Sequence, residues 1–177
     1  MTSYVALIRG IGPGDPRKSN ESLRGVLEGL GLDRVRSVLA SGNVVFESGS
    51  RSPAKLADRI EAAWPEELGF SALTVVRSRA QIAALLDAEP FGDAAHGKAS
   101  YQLVTFFRTA LRSAPTPPEG LAGVEVVGIV DGALCTIHDT TLTGGPEVMK
   151  WIDQTYEKQT TSRTPLTLRK ILAKMDA

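Results

Sequence analysis

A chain of 177 residues with 42% hydrophobic and 23% charged side chains has the makeup of a folded globular protein, long enough for one large core or two compact halves. Its 20 Lys+Arg balance 20 Asp+Glu, so no global field draws it to nucleic acid or membrane, and such a partner would need a local basic patch. A single cysteine, Cys135, excludes an internal disulfide and fits a reducing compartment.

The N-terminal apolar run is broken at once by Arg9 and the glycines after it, which argues against a signal peptide. No apolar stretch approaches the roughly 18–20 residues that span a bilayer. The expected location is the cytoplasm, with no membrane partner.

Residues 4–8, Tyr-Val-Ala-Leu-Ile, predict a central strand covered on both faces. Leu23, Val26, Leu27 and Leu30 then fall at i, i+3, i+4 and i+7, the stripe of an amphipathic helix. Ser19 or Asn20 can cap its start and Gly31 can take the left-handed conformation that ends it. Residues 34–39 alternate charged with apolar, and Ser41-Gly42-Asn43 turns the chain into Val44-Val45-Phe46, a hairpin. Ser52-Pro53 starts a second helix, with Leu56, Ile60, Ala63 and Trp64 on one face and Pro65 helping to stop it. Residues 71–77 are strand-like. The order β-α-β-β-α-β is that of a ferredoxin-like unit with an antiparallel sheet.

Ser78 and Gln81 have capping-box spacing and open a connecting helix through Leu85-Leu86. The loop from Glu89-Pro90 to Ser100 is the expected boundary, giving subdomains 1–88 and 89–177. The second half repeats the theme more loosely. Strands are expected at 102–107, 124–130 and 133–138, with a Pro-rich link at 115–118 and an Asp131-Gly132 hairpin. C-terminal helices are expected at about 146–156 and from Thr164-Pro165, the latter with a Leu168, Ile171, Leu172, Met175 stripe. The fold class is α+β, with two ferredoxin-like subdomains.

Four groups of residues invite a functional reading. The loop at 9–18, Arg-Gly-Ile-Gly-Pro-Gly-Asp-Pro-Arg-Lys, follows a strand and precedes a helix, where backbone N–H groups and a helix N-terminus can hold an anion. Its spacing fails both the dinucleotide and the P-loop fingerprints, and Pro13 and Pro16 remove two donors, so a solvent-exposed, turn-rich loop is the favoured reading over an anion site. At the other end, Arg163, Arg169, Lys170 and Lys174 give a basic face that could contact phosphates or simply complement a helix dipole. Cys135 and His138 stand three apart in a strand and so on opposite faces, and His96 is the only other histidine; no Cys/His metal site and no cofactor are expected. Finally, Tyr4 and Phe46 are too few aromatics for the stacking platform of an RNA-recognition domain. No catalytic motif stands out; either histidine could act as a base, but nothing in the spacing pairs it with a nucleophile.

Arg9-Gly10-Ile11, Ser41-Gly42-Asn43-Val44-Val45-Phe46, Pro90-Phe91, and Thr160-Thr161 with Arg163 together resemble the motifs of the bacterial domain-of-unknown-function 1697 family. Its members typically carry R-G-I-N-V-G-G, Q-S-G-N-V-V-F, N-P-F and T-T-R-N-W. The resemblance spans nearly the whole chain and implies an α+β fold with ferredoxin-like halves and no established activity. This chain departs from it at Gly12, Pro13 and Asp15, and at Ser162 and Thr164-Pro165. The resulting expectation is a non-enzymatic binding module for a small anionic or phosphate-bearing ligand. Its site would lie where the 10–18 loop meets Thr160–Arg163, with Arg9, Gly10, Gly12, Lys18, Asn43, Thr161 and Arg163 as its residues. Nucleic-acid binding through Arg163, Arg169, Lys170 and Lys174 is the first alternative, and an enzyme of a small phosphorylated or carboxylated metabolite the second.

Overall fold

A computed structural model describes residues 1–142 and 145–177. The chain divides into two compact units, Met1–Ala83 with Arg169–Ala177, and Ala84–Leu168.

In the first unit, β1 (Thr2–Ile8), β2 (Asp33–Ser37), β3 (Asn43–Ser48) and β4 (Thr74–Ser78) form one antiparallel sheet in the order β2-β3-β1-β4. Helices α1 (Asn20–Gly29) and α2 (Pro53–Leu68) complete the β-α-β-β-α-β order expected from the sequence. Alternation along the strands sends Tyr4, Ala6, Ile8, Val44, Phe46 and Val76 to the helix side, where they pack with Leu23, Leu27, Ile60 and Trp64. The opposite-facing Val5, Leu7, Val45 and Val75 are equally buried, so β1 is covered on both faces. Trp64 is wholly buried, and its indole N–H donates to Thr74 Oγ1 at 2.8 Å, which satisfies its one polar atom.

The helix ends follow local chemistry closely. Ser19 caps α1 by accepting from the Ser22 N–H. Past its last turn the Leu32 N–H bonds to Leu27 O and the Gly31 N–H to Glu28 O, with Gly31 at φ 72°, a Schellman closure that also buries Leu32 beside Leu27. Ser52 and Pro53 start α2 as their spacing predicts. Pro65 does not stop it. The helix runs on to Leu68 and ends at Gly69, φ 70°, because that glycine supplies the left-handed residue and its N–H closes on Pro65 O. Ser78 and Gln81 exchange bonds as a capping box, Ser78 N–H to Gln81 Oε1 at 3.0 Å and Gln81 N–H to Ser78 Oγ at 3.2 Å, opening α3 (Arg79–Asp87).

The second unit repeats the strand order. Its sheet contains β5 (Tyr101–Phe107), β6 (Val124–Val130), β7 (Ala133–His138) and β8 (Thr160–Arg163), all antiparallel, in the order β6-β7-β5-β8. Helix α4 (Gly145–Thr155) packs Val148, Trp151 and Ile152 on Leu103. Among the described residues no helix stands between β5 and β6; the Pro-rich link takes its place. That link is fastened at both ends. Near its start, the Leu111 N–H bonds to Gly132 O at 3.0 Å, and at its end Gly123 O accepts from the Asp139 N–H at 2.7 Å. Asp131 and Gly132, at φ 48° and 73°, make the two-residue β6–β7 turn. The last helix, α5 (Pro165–Asp176), starts where Thr164 caps it and buries Leu168, Ile171 and Met175.

Gly42 has φ 74°, and a Cβ there would lie 2.7 Å from Ile8 O and 2.8 Å from Ile11 Cγ1. Gly10 also has positive φ, 71°, but opens onto empty space. Gly42→Ala should therefore cost about 2–4 kcal/mol, strain plus overlap, and Gly10→Ala only about 1 kcal/mol of strain. Urea denaturation of the two variants checks this, and equal losses would contradict it.

Candidate functional site

After β1 the chain leaves the sheet at Arg9, whose N–H bonds to Leu73 O at 2.9 Å, and folds the 10–18 loop over the start of α1. Asp15 organises the loop. Its carboxylate accepts from the Arg17 N–H at 3.0 Å and takes a two-point grip from the guanidinium, Nε at 3.0 Å and Nη2 at 2.8 Å. Those bonds hold the Asp15 carboxyl below its ordinary pKa and raise that of Arg17. The pair is thereby neutral as a unit, and Arg17 also reaches Gly69 O at 3.2 Å. Lys18 donates to Gly10 O at 3.2 Å and lies 5.3 Å from the centre of the Phe70 ring.

Between loop and helix is a shallow cleft of about 430 Å³, lined by residues that include Gly12, Gly14, Asp15, Lys18, Ser19 and Asn20. The Ser19 hydroxyl and carbonyl take the N–H groups of Ser22 and Leu23. Among the described residues the N–H groups of Gly12, Gly14 and Asn20 donate to no group of the chain. The cleft is thus lined by residues with free backbone donors and by Lys18, at the positive end of α1.

Of the residues singled out in the sequence, Gly12 and Lys18 line this cleft, and Gly10 is joined to it through the Lys18 ammonium. Asn43 is fully buried at the start of β3, and its amide donates to Val38 O at 3.1 Å and Ser41 Oγ at 3.0 Å, inside the β2–β3 turn. Thr161 and Arg163 lie on β8 in the second unit, paired with Phe106 and Val104. The Arg163 guanidinium donates to Thr161 Oγ1 and Ser162 O, each at 2.8 Å, and burial lowers its pKa to about 10. Arg169, Lys170 and Lys174 are all exposed on α5, whose far end is tied down by an ion pair between Asp176 and Arg79.

A second cleft, of about 540 Å³, lies in the second unit among His96, Lys98, Tyr101, Leu103, His138 and Met149. Sequence spacing did not reveal it, because the antiparallel β5–β7 register is what sets Tyr101 opposite His138. The His96 ring also packs on Tyr101, with centroids 4.7 Å apart. Cys135 stands on the opposite face of β7 from His138, and burial pushes its thiol up to about 11, which keeps it protonated and a poor nucleophile at neutral pH.

The sequence model of the family described as "Protein of unknown function (DUF1697)" matches residues 1–120. The chain belongs to this family. The DUF1697 fold is also that of a solved structure described as conserved bacterial protein SP0830 from Streptococcus pneumoniae, 21% identical, with a TM-score of 0.71 over 100% of this chain and 99% of the other. At that identity the likeness establishes the fold alone. No curated protein matches. Among the described residues of this DUF1697 chain, no helix is long and apolar enough to cross a membrane.

His138 is buried, bonds through Nε2 to Thr136 Oγ1 at 2.7 Å, and has its pKa lowered by burial to about 4. The unfolded chain therefore binds a proton near pH 6.5 that the folded chain refuses until about pH 4. Stability from this group is complete above pH 6.5 and falls with pH through that window, by about 3 kcal/mol in all. Thermal melts across pH 4–7 should show this decline and His138→Gln should flatten it; parallel curves would remove the assignment.

Proposed function

We propose that this protein is a binding module, and that its first unit takes a small anion or a phosphate-bearing metabolite in the cleft between the 10–18 loop and α1. The observation that carries this reading is that one cleft at a helix N-terminus is lined by Gly12, Gly14 and Asn20, whose N–H groups donate to no group of the chain among the described residues, and by Lys18. Asp15 does not oppose an anion, because Arg17 grips its carboxylate from two points and cancels its charge locally. The open, glycine-lined wall lets backbone donors, rather than long side chains, make the contacts. Arg9 and Asn43 remain part of the proposed site as supporting residues, with Asn43 acting by holding the β2–β3 turn. The free Cys135 thiol fits a reducing compartment, and the cytoplasm is the proposed location.

Titration of the 15N-labelled protein with inorganic phosphate should move the amide signals of Gly12, Gly14 and Asn20. Lys18→Ala should weaken that binding about three- to fivefold, the worth of one exposed charge. Amide signals that stay still while phosphate rises would defeat the proposal.

A second reading, nucleic-acid binding, is favoured by one feature. Arg169, Lys170 and Lys174 form an exposed basic group on α5, away from its buried Leu168, Ile171 and Met175 stripe. If these three cations contact phosphates, the logarithm of the binding constant should fall with the logarithm of salt at a slope of about −2 to −3. Lys170→Glu should make that slope shallower by about one. Mobility shifts at several salt concentrations measure both, and a flat salt response excludes this reading.

A further inference from the structure

The second unit carries a site of different chemistry. Its floor comes from the sheet: Tyr101 and His138 are register partners on β5 and β7, and Leu103 follows Tyr101 on the same face. Met149 of α4 supplies a flexible, polarisable wall. The loop before β5 closes the side and is itself held in place. Its Lys98 carbonyl accepts from both the N–H and the hydroxyl of Thr140, each at 2.8 Å. Gly97 and Ser100 exchange backbone bonds at 3.1 and 3.2 Å, a tight turn that holds Lys98 beside the cleft. His96 Nδ1 accepts the Gln102 N–H at 3.1 Å, which leaves the ring proton of neutral His96 on Nε2 as a donor.

The polar groups of this cleft are few and of one kind. Among the described residues no aspartate or glutamate lines it, and the Lys98 ammonium and the Tyr101 hydroxyl have no partner in the chain. Apart from Gly97 and from Thr140, whose hydroxyl is taken up by the Lys98 carbonyl, the other walls are aromatic or aliphatic, and a volume of about 540 Å³ is in the range that holds a small organic molecule. We propose that this cleft binds a small monocarboxylic acid with an aromatic or aliphatic body. The body stacks on Tyr101 and His138 and packs on Leu103 and Met149, and the carboxylate meets Lys98, with the Tyr101 hydroxyl and His96 Nε2–H as further donors. One cation and neutral donors match a single negative charge. The site stands apart in residues and in ligand chemistry from the Gly12–Lys18–Asn20 cleft, so either can fail without the other.

The test is an NMR titration of the full chain with phenylacetate, its neutral isostere phenylacetamide, and acetate. Phenylacetate should move the amides of residues 96–103 and 138–140, phenylacetamide should do so more weakly, and acetate should not. Lys98→Ala, at an exposed position, should weaken phenylacetate about three- to fivefold and leave phenylacetamide unchanged. Met149→Trp should fill the cleft and block both, with circular dichroism confirming the fold; if that variant does not fold, the Lys98→Ala comparison decides alone. The proposal is overturned if neither aromatic probe moves these amides, if the shifts map instead to Gly12, Gly14 and Asn20, or if Lys98→Ala leaves the ratio of the two affinities unchanged.

Discussion

The close approach of Gly42 to the end of β1 sets the geometry of the first unit. The Ile8 N–H bonds to Gly42 O at 2.8 Å, and nothing larger than hydrogen fits on Gly42 between Ile8 O and the Ile11 side chain. This contact joins the β2–β3 turn to the point where the 10–18 loop leaves the sheet. It fixes Ile11 next to the turn and so determines where Gly12 and its neighbours begin. The amide of Asn43 braces the same turn from inside. A loop with three glycines and two prolines has little stiffness of its own, and its form derives from this anchor and from the Asp15–Arg17 grip.

Local chemistry carried most of the fold. The Leu23–Val26–Leu27 stripe, the Ser19 and Ser52 caps, the Ser78–Gln81 box and the Asp131-Gly132 turn each act through neighbours in the chain, and each is where its spacing puts it. Departures arise where a longer-range partner decides. Pro65 sits one turn before the end of α2, and the terminus belongs to Gly69. The strand expected from residue 71 begins only at Thr74, the residue that meets both Trp64 and β1. β8 is four residues long and wholly polar, with no apolar periodicity to mark it; its partner β5 defines it.

The candidate sites divide in the same way. Gly12 and Lys18 are close in sequence on a loop leading into a capped helix, so that one cleft is lined by both follows from local chain order; Asn20, read in the sequence only as a possible cap, lines it too. Asn43 shared a motif with that turn but proved to be a brace, since its amide is buried and engaged. The His96–Tyr101–His138 group could not be read, because it exists only through the β5–β7 register and a loop folded back on its own strand. An isolated histidine in a sequence gives no sign of which ring it will face.

The link between β5 and β6 has a further consequence. Its two fastenings lie on either side of β7, one at Gly132 beside Ala110 and the other at Gly123 beside Asp139, where an added Cβ would approach those neighbours to 2.5 and 3.0 Å. Residues 112–120 run largely exposed between these pins. Strand register is thus insulated from whatever lies between them, as a ladder is unaffected by slack in a rope tied at both ends. This span is accordingly the molecule's natural docking port for added sequence: a lengthened loop, or a whole helix, could enter there without shifting a single rung of the sheet.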